Sequence, residues 1–556
     1  MLTALEKRYE KARFGSLFPD IIDENMLIDS FECCDTLEGH TGCVNTLRWN
    51  RNGQLLASGS DDRHVKIWRA GLEVESLATG HVGNVFAVEF LPGSSDRKLV
   101  TGAADHIVFL HDLEVKNGGK RRWELEGRVK RLCTLEQEST LWWAAVEAVE
   151  GVQQFDTRLE APEVVVRTVN EDSHGCKSVA VSDVKPHLIV VGFDETPVRL
   201  YDRRNFSNPL LVLNPLDADA DTFQTTHVAF NKTGTEVVVN QGNSGGICVF
   251  PIDSYDAPRT MERLNDVLGG DGEPTISSNN LPYPDLREAG HMMLKEKKFS
   301  KAVDYYSELI SRNYKDRAFR SVCYSNRATA LLVRRQRGDT YACIRDCVKA
   351  LEIHQGNSKA LFRLIKSFTS LETPEYAKTC VEVFRKWYPN RETEAIDNME
   401  KDVVMLKENE DQNNLASKPG YMDYTQRFVG TSNCQTDIKE ANFFGSRDQY
   451  IVAGSDCGHM FVWNRDTSRL QGIWKADDHI LNIVQPHPEA FLIATSGIDD
   501  DVLIWEPVLE KEEVEGFITR RHADPFEFIK NYKETYGVRH QTLRQFQRHG
   551  QQCVQS

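Results

Sequence analysis

The chain has 556 residues, of which 40% are hydrophobic and 27% charged, a balance typical of folded proteins with more than one domain. Its formal net charge of −16 argues against general binding of nucleic acids, because neutralising phosphates requires a basic surface. No apolar run reaches the ~18 residues of a membrane-spanning helix, and residues 1–13 lack the apolar core of a signal peptide. With thirteen cysteines in no metal-binding spacing, these features predict a cytoplasmic and nuclear protein with reduced thiols, in direct contact with neither membranes nor nucleic acid.

The clearest motif begins at Gly39-His40 and ends at Trp68. Apolar residues that alternate or cluster, separated by Gly and Asp, predict strands joined by tight turns. His40, Ser58, Asp62 and Trp68 have the spacing of the hydrogen-bonded residues of a WD repeat. We expect them to form a structural network within one blade, since a buried polar group left without a partner costs about 1–3 kcal/mol.

Weaker versions of this pattern recur along the chain. Four follow the first, ending near Asp112, Arg158, Arg204 and Phe250, and two more appear after a long interruption, ending at Asn464 and Trp505. Two blades alone do not bury their faces, so the late pair must close the ring that the first five begin. The sequence therefore predicts a seven-bladed WD-repeat β-propeller, with blades 1–5 in residues 36–253 and blades 6–7 in residues 431–509.

The interruption has a helical period. We expect a linker at 254–282, a module of three tetratricopeptide helix pairs at 283–390 and a return linker at 391–430. Small residues at Gly290 and Ala302 allow two helices to approach closely, and Phe299 and Tyr306 fill the space beside them. The predicted fold is thus mainly β with an α insertion, flanked by an N-terminal helical segment (1–35) and a C-terminal tail (510–556).

No motif of catalysis is present: G-x-S-x-G, the P-loop, H-E-x-x-H and the kinase signatures are all missing from the sequence. The acidic run Asp499–Asp501 falls in a blade turn, where Asp is common for structural reasons. We therefore predict a protein that is not an enzyme and that uses neither a cofactor nor a metal.

The arrangement resembles the WD and tetratricopeptide repeats (adipose) family, in the split propeller and in the phrases Gln485-Pro486-His487-Pro488 and Gly497-Ile498-Asp499. The resemblance implies a substrate receptor of a cullin-4 RING ubiquitin ligase, which docks on the damage-specific DNA-binding adaptor protein and recruits protein substrates. It also implies a role in restraining fat storage. In similar receptors an N-terminal helical segment inserts into the adaptor, although residues 1–35 are equally suited to capping the propeller.

The resemblance assigns adaptor docking to two Asp-x-Arg pairs at the ends of consecutive blades, Asp156/Arg158 and Asp202/Arg204. Arginine has a planar fork that suits carboxylates and carbonyls, and it is frequent at the centre of interfaces. The alternative is that each Asp only holds its own turn while the Arg is solvated. The sequence departs from the family pattern in having Phe155 and Tyr201 where Trp is usual.

A second candidate site is a carboxylate clamp in the helical module. Some tetratricopeptide domains bind the acidic C-terminus of a chaperone through Lys, Asn and Arg on their concave face. The corresponding positions here are Arg287, His291, Asn326, Lys359 and Arg363. Alternatively these residues form an ordinary basic helix edge. A third possibility is a scaffold in transcription or chromatin control, with histones or histone deacetylases as partners.

Overall fold

A computed structural model describes residues 24–115, 120–167, 175–194, 196–213, 224–242, 246–252, 268–269, 284–311, 315–335, 339–370, 374–389, 393–413, 421–422, 424–466 and 469–508. Most of the predicted N-terminal segment, most of the linker at 254–282 and the whole C-terminal tail lie outside these ranges. The chain divides into two compact units. The first comprises Met1–Cys248, Phe428–Arg465 and Leu470–Ser556, and the second comprises Val249–Arg427 and Asp466–Arg469.

The β-strands of the described residues form seven sheets, each with at least four strands. The first blade contains β2 (Val44–Trp49), β3 (Leu56–Ser60), β4 (His64–Arg69) and β5 (Leu72–Ala78), the second contains β6 (Val85–Phe90), β7 (Lys98–Ala103), β8 (Ile107–Asp112) and β9 (Lys120–Glu124), and the third contains β10 (Arg128–Thr134), β11 (Leu141–Glu147), β12 (Val152–Asp156) and β13 (Glu163–Val166). The fourth blade contains β14 (Cys176–Val181), β15 (Leu188–Phe193), β16 (Val198–Asp202) and β17 (Leu211–Leu213), with β21 (Tyr421–Met422) added, and the fifth contains β18 (Thr225–Phe230), β19 (Glu236–Gln241), β20 (Gly246–Pro251) and β22 (Gln426–Phe428). The sixth blade contains β23 (Ala441–Phe444), β24 (Tyr450–Ala453), β25 (His459–Asn464) and β26 (Arg469–Lys475), and the seventh contains β27 (Leu481–Pro486), β28 (Ile493–Gly497), β29 (Val502–Pro507) and β1 (Phe31–Leu37).

The seven sheets close into a ring. The first strand of each sheet contacts the first strand of the next, in the order β2, β6, β10, β14, β18, β23, β27 and back to β2. Hydrogen bonds from side chains to main-chain carbonyls join the first and last blades: the Ser496 hydroxyl donates to the Val44 carbonyl at 3.0 Å, and the Trp49 indole N–H donates to the Gln485 carbonyl at 3.3 Å. This confirms the predicted seven-bladed propeller interrupted by a helical insertion.

The last blade takes its fourth strand from the N-terminus. β1 pairs antiparallel with β29, from Phe31 opposite Pro507 to Leu37 opposite Val502. The predicted helical segment at 1–35 therefore contains, in its described part, a helix of six residues, α1 (Glu24–Asp29), followed by a strand. The strand forms because its end residues are buried: Phe31 lies in the core shared by the sixth and seventh blades, and Leu37 lies in the core shared by the seventh and first blades.

The insertion begins inside the fifth blade, whereas the sequence places it between the fifth and sixth. β22, which follows the helices, is the fourth strand of the sheet that contains β18–β20. The Thr425 amide donates to the Val249 carbonyl at 2.8 Å, so the two ends of the insertion are joined by a main-chain hydrogen bond. A strand of three residues carries too little pattern to be recognised before its pairing is known.

The predicted residues of the first blade form one hydrogen-bonded chain. The His40 ring lies 2.7 Å from Asp62 Oδ2 through Nδ1 and 2.8 Å from the Ser58 hydroxyl through Nε2. The Trp68 indole N–H also donates to that hydroxyl, at 2.8 Å. His40 and Ser58 are buried, so the network pairs polar groups that water does not reach.

In its described residues the helical unit contains three helix pairs and one further helix. The pairs are α2 (Pro284–Lys295) with α3 (Phe299–Ser311), α4 (Arg317–Arg334) with α5 (Asp339–Ile353), and α6 (Ser358–Ser370) with α7 (Pro374–Trp387); α8 (Thr393–Asn413) follows. A Cβ added at Gly290 would lie 2.7 Å from Tyr306 Cε1, which explains the glycine at this helix contact. Helix α8 lies where the sequence predicts a return linker, and it buries Ile396 and Val403 against the other helices.

No helix of the described residues is both long and apolar enough to cross a membrane.

Candidate functional site

The two Asp-x-Arg motifs occupy equivalent positions in the third and fourth blades. Asp156 ends β12 and Asp202 ends β16, the third strands of their sheets. Asp156 lies opposite Leu141, and Asp202 lies opposite Leu188, in the antiparallel registers. Both motifs therefore lie at the edge of the ring where the first strands of the blades end.

Each arginine pairs with the aspartate of its own motif. Arg158 Nε donates to Asp156 Oδ1 at 2.9 Å, and Arg204 Nε donates to Asp202 Oδ1 at 2.8 Å. In both motifs Nη2 donates to the second carboxylate oxygen. These hydrogen bonds lower the pKa of Asp156 and of Asp202, so both carboxylates are charged at neutral pH.

The arginine side chains are nevertheless largely exposed, 70% for Arg158 and 71% for Arg204. Among the described residues neither Nη1 group donates a hydrogen bond. Each aspartate also holds its own turn, as the alternative interpretation expects, because its Oδ1 accepts the backbone N–H of the arginine at 2.9 Å in both motifs. The same contacts orient each guanidinium and leave one edge open to a partner.

Contacts around the two motifs, which sequence analysis did not identify, link the third and fourth blades. Arg203 Nη2 donates to Glu138 Oε1 at 2.8 Å, joining the fourth blade to the connection between β10 and β11. Leu159 and Leu210 are large apolar residues with 54% and 48% exposure. Arginine is enriched at protein interfaces, and the core of an interface is apolar.

The residues of the predicted clamp lie on three helices of the helical unit. Arg287 and His291 are in α2, Asn326 is in α4, and Lys359 and Arg363 are in α6. Burial lowers the pKa of His291, and the positive charges of Arg287 and Lys359 lower it further. Asn326 is half-buried.

Two clamp residues are already held by neighbouring side chains. His291 Nδ1 shares a hydrogen bond of 3.1 Å with the Tyr306 hydroxyl. Arg363 Nη1 donates to the Ser325 hydroxyl at 2.6 Å. Burial raises the pKa of Tyr306, and the positive charges of Arg363 and Arg287 oppose this rise.

The acidic turn of the last blade has a structural explanation. Asp477, His479 and Asp499 place their ligand atoms within 4.8 Å of one another. Asp499 Oδ2 accepts the Asp478 N–H at 2.6 Å, and Asp477 Oδ2 accepts the Asp499 N–H at 3.1 Å. The hydrogen bond from His479 to Asp499 raises the pKa of His479. These bonds connect two loops of the blade, as expected for aspartates in turns.

Comparison with known proteins supports the predicted resemblance. The family model described as WD domain, G-beta repeat, matches residues 31–69. WD and tetratricopeptide repeats protein 1 of Homo sapiens is 29% identical over 608 aligned residues, which cover 89% of each chain. Protein ALTERED SEED GERMINATION 2 of Arabidopsis thaliana is 26% identical, covering 85% of this chain and 86% of that protein.

A third relative matches a shorter stretch. DDB1- and CUL4-associated factor 6 of Homo sapiens is 46% identical over 83 residues, which cover 15% of this chain and 9% of that protein.

Proposed function

We propose that this chain, which is similar to WD and tetratricopeptide repeats protein 1 over almost its full length, is a substrate receptor of a cullin-4 RING ubiquitin ligase. It acts without catalysis, as an adaptor that docks on the damage-specific DNA-binding adaptor protein. The observation that carries the proposal is the matched presentation of Arg158 and Arg204 on consecutive blades. The local similarity to DDB1- and CUL4-associated factor 6 supports it.

The geometry suits docking because each guanidinium is held in place before a partner arrives. Asp156 and Asp202 restrict the rotamers of Arg158 and Arg204, so less side-chain entropy is lost on binding than for a mobile arginine. The open Nη1 edges then donate to carbonyls or carboxylates of the adaptor. Leu159 and Leu210 supply apolar area beside them.

The test is binding of the purified adaptor to the full-length chain. We expect Arg158→Ala/Arg204→Ala to weaken binding at least about 30-fold, since interface hot spots contribute about 2 kcal/mol or more. Arg97→Ala is a matched control, because Arg97 is an exposed arginine of the second blade that is paired with Glu114. Unchanged binding by a folded double variant would remove the residue assignment. If the wild-type chain does not bind the adaptor at all, the ligase function is wrong.

A second function, as a chaperone-linked scaffold, is favoured by the cations that surround His291 and Tyr306. We propose that Arg287, Lys359 and Arg363 hold the terminal carboxylate of an acidic C-terminus. A peptide with acidic residues and a free C-terminus should bind, whereas its C-terminally amidated form should not.

In this binding assay Arg363→Ala should abolish binding, and Lys378→Ala, which removes an exposed lysine of α7, should not. Absence of binding by the wild-type chain at low salt would contradict the clamp. A role in restraining fat storage is proposed from the family resemblance alone. Histones and histone deacetylases are proposed as partners of a transcription or chromatin scaffold because propellers are common platforms for such assemblies.

A further inference from the structure

A cavity of about 450 Å³ lined by both polar and apolar residues lies at one mouth of the propeller's central channel. This volume is within the range of ligand-binding pockets, roughly 300–1,000 Å³. All seven blades contribute to its wall, mainly through their first strands and the connections that follow these strands. The mouth opens at the same edge of the ring as the Asp-x-Arg motifs.

Three arginines of the wall surround one carboxylate. Arg48 Nε lies 2.7 Å from Glu89 Oε1. Burial raises the pKa of Glu89, and the positive charges of Arg48, Arg51 and Arg131 oppose that rise. Arg131 lines the cavity but already has two partners: it is paired with the buried Glu440 and lies 2.9 Å from His227 Nε2.

The wall has more positive than negative charge. Its cationic side chains are Arg48, Arg51, Arg131 and Lys232, and its carboxylates are Glu89 and Asp183. Glu440 behind Arg131 reduces the surplus from two charges to one. One unneutralised cation matches a single carboxylate ligand better than a doubly charged phosphate.

Arg48 and Arg51 also retain donors for a ligand. Arg48 Nη1 donates to Gln485 Oε1 at 3.1 Å, and Arg51 Nη2 donates to the Thr134 carbonyl at 3.2 Å. Among the described residues, Arg48 Nη2 and Arg51 Nε donate to no protein atom. The pair between Arg51 and Asp183 is 42% exposed on both sides, so exchanging Asp183 for a ligand carboxylate costs little.

The rim of the cavity is apolar on two sides. Val184 is 60% exposed, Pro488 is exposed and Phe230 is half-buried, and all three line the cavity. A ligand that fills the mouth therefore needs an anionic group flanked by apolar groups. A peptide in which an acidic side chain stands between apolar residues has this pattern.

We propose that the channel mouth binds an extended peptide segment through an acidic side chain, which pairs with Arg48 and Arg51 while its apolar neighbours contact Val184 and Pro488. This site goes beyond the proposed adaptor docking, because it uses neither Arg158 nor Arg204. It gives a substrate receptor a place to recognise acidic segments of its substrates.

The test measures anisotropy of a fluorescein-labelled six-residue peptide of alternating Leu and Glu, blocked at both ends, added to the full-length chain. Blocking the C-terminus excludes binding through the helical clamp. We expect binding that weakens at least ten-fold in Arg48→Gln/Arg51→Gln. Arg97→Gln should bind as the wild type does, because Arg97 lies at the same edge of the ring without lining this cavity.

Asp183→Asn should change the affinity for the peptide in the opposite direction to the arginine variant. Removing this exposed carboxylate frees Arg51 for the ligand, so affinity should rise about three-fold or more, an effect that a merely structural role would not produce. If Asp183→Asn lowers the affinity or leaves it unchanged, the proposal is wrong, even if the arginine variant does not fold.

Three further results would overturn the proposal: no binding by the wild type at low salt, equal binding of a Leu-Lys peptide, or displacement by inorganic phosphate at the concentration at which unlabelled peptide displaces. Arg158→Ala/Arg204→Ala should keep peptide binding, and Arg48→Gln/Arg51→Gln should keep adaptor binding. The failure of either proposal is therefore distinguishable from that of the other.

Discussion

A buried hydroxyl is the common partner in the blades that carry the hydrogen-bonded network. It accepts an indole N–H in the first and last blades, at 2.8 Å in each, whereas in the second blade it lies 2.9 Å from an imidazole nitrogen. The pairs are Ser58 with Trp68, Thr495 with Trp505, and Thr101 with His111. The hydroxyl of the second blade is therefore bonded to a ring that can take up a proton, whereas the hydroxyls of the other two blades are bonded to indole rings, which do not titrate.

This difference predicts a pH dependence of stability. Burial, with smaller contributions from the neighbouring His81 and Lys120, lowers the pKa of His111 to about 3. An unfolded histidine has a pKa of about 6.5. Because the folded pKa is the lower one, the unfolded state binds the proton first, and stability decreases as pH falls from about 6.5 towards 3. His227, whose pKa burial also lowers to about 3, acts in the same direction.

We expect His111→Trp to reduce the loss of unfolding free energy between pH 7 and pH 5 by up to about 2 kcal/mol. The indole N–H would still reach Thr101 and would not titrate. Urea titrations at both pH values measure the effect. His479→Gln should not flatten the dependence, because a hydrogen bond to Asp499 raises the pKa of that exposed histidine. A wild-type slope in His111→Trp would contradict the assignment.

At the level of elements, ring closure depends on β1. Phe31 is 1% exposed and makes edge contacts with Phe444, Trp474 and Phe491, with centroid distances of 5.9, 6.3 and 5.7 Å. The Trp474 indole N–H donates to the Phe31 carbonyl at 3.1 Å. One residue near the N-terminus thus belongs to the core of the last two blades.

Phe31→Ala should therefore lower the free energy of unfolding by about 3–5 kcal/mol, the usual cost of removing a buried aromatic ring. Leu72→Ala, in the outer strand β5 where the side chain is 46% exposed, should change it by no more than about 0.5 kcal/mol. Chemical denaturation of both variants followed by tryptophan fluorescence makes the comparison. Similar stability of the two variants would show that β1 does not close the ring.

The elements that were predicted from the sequence are those with a complete local pattern. The first blade has turn residues, alternating strands and a polar network within thirty residues, and Gly290 with Tyr306 indicates a helix contact through size alone. β1 and β22 have no such pattern. They form strands because the tertiary fold brings them beside β29 and β20, which lie far away in the sequence. α8 was missed since its acidic composition hides the two buried positions Ile396 and Val403.

At the scale of the whole molecule, the number of blades could be predicted but the contents of the channel could not. Counting motifs is enough to count blades, because the first three strands of every blade are consecutive in the chain. The pairs Arg131 with Glu440 and Lys177 with Asp437 join residues far apart in sequence, and only the closed ring brings them together. For the same reason Arg158 and Arg204, which lie in a local motif, can be predicted from the sequence, whereas Arg48 and Arg51 cannot.

The propeller ring and the helical insertion are expected to fold and to bind their partners independently. The Thr425 N–H donates to the Val249 carbonyl, and the rings of Phe250 and Tyr424 lie 6.2 Å apart. The segments that flank the insertion therefore contact each other directly. Since the entropy of loop closure changes slowly with length, a short linker should serve as well as the helices do. We expect a chain in which a short Gly/Ser linker replaces residues 254–420 to fold.

That shortened chain should bind the adaptor and the blocked acidic peptide with wild-type affinity, and it should lose binding of acidic peptides with a free C-terminus. Size-exclusion chromatography, thermal denaturation and the two binding assays test this. A longer replacement, of residues 254–430, is the control, because it removes β22 (Gln426–Phe428) and leaves β20 without its neighbour. If both shortened chains unfold alike, the ring depends on the helical unit for its stability, and the division of binding surfaces argued above does not hold.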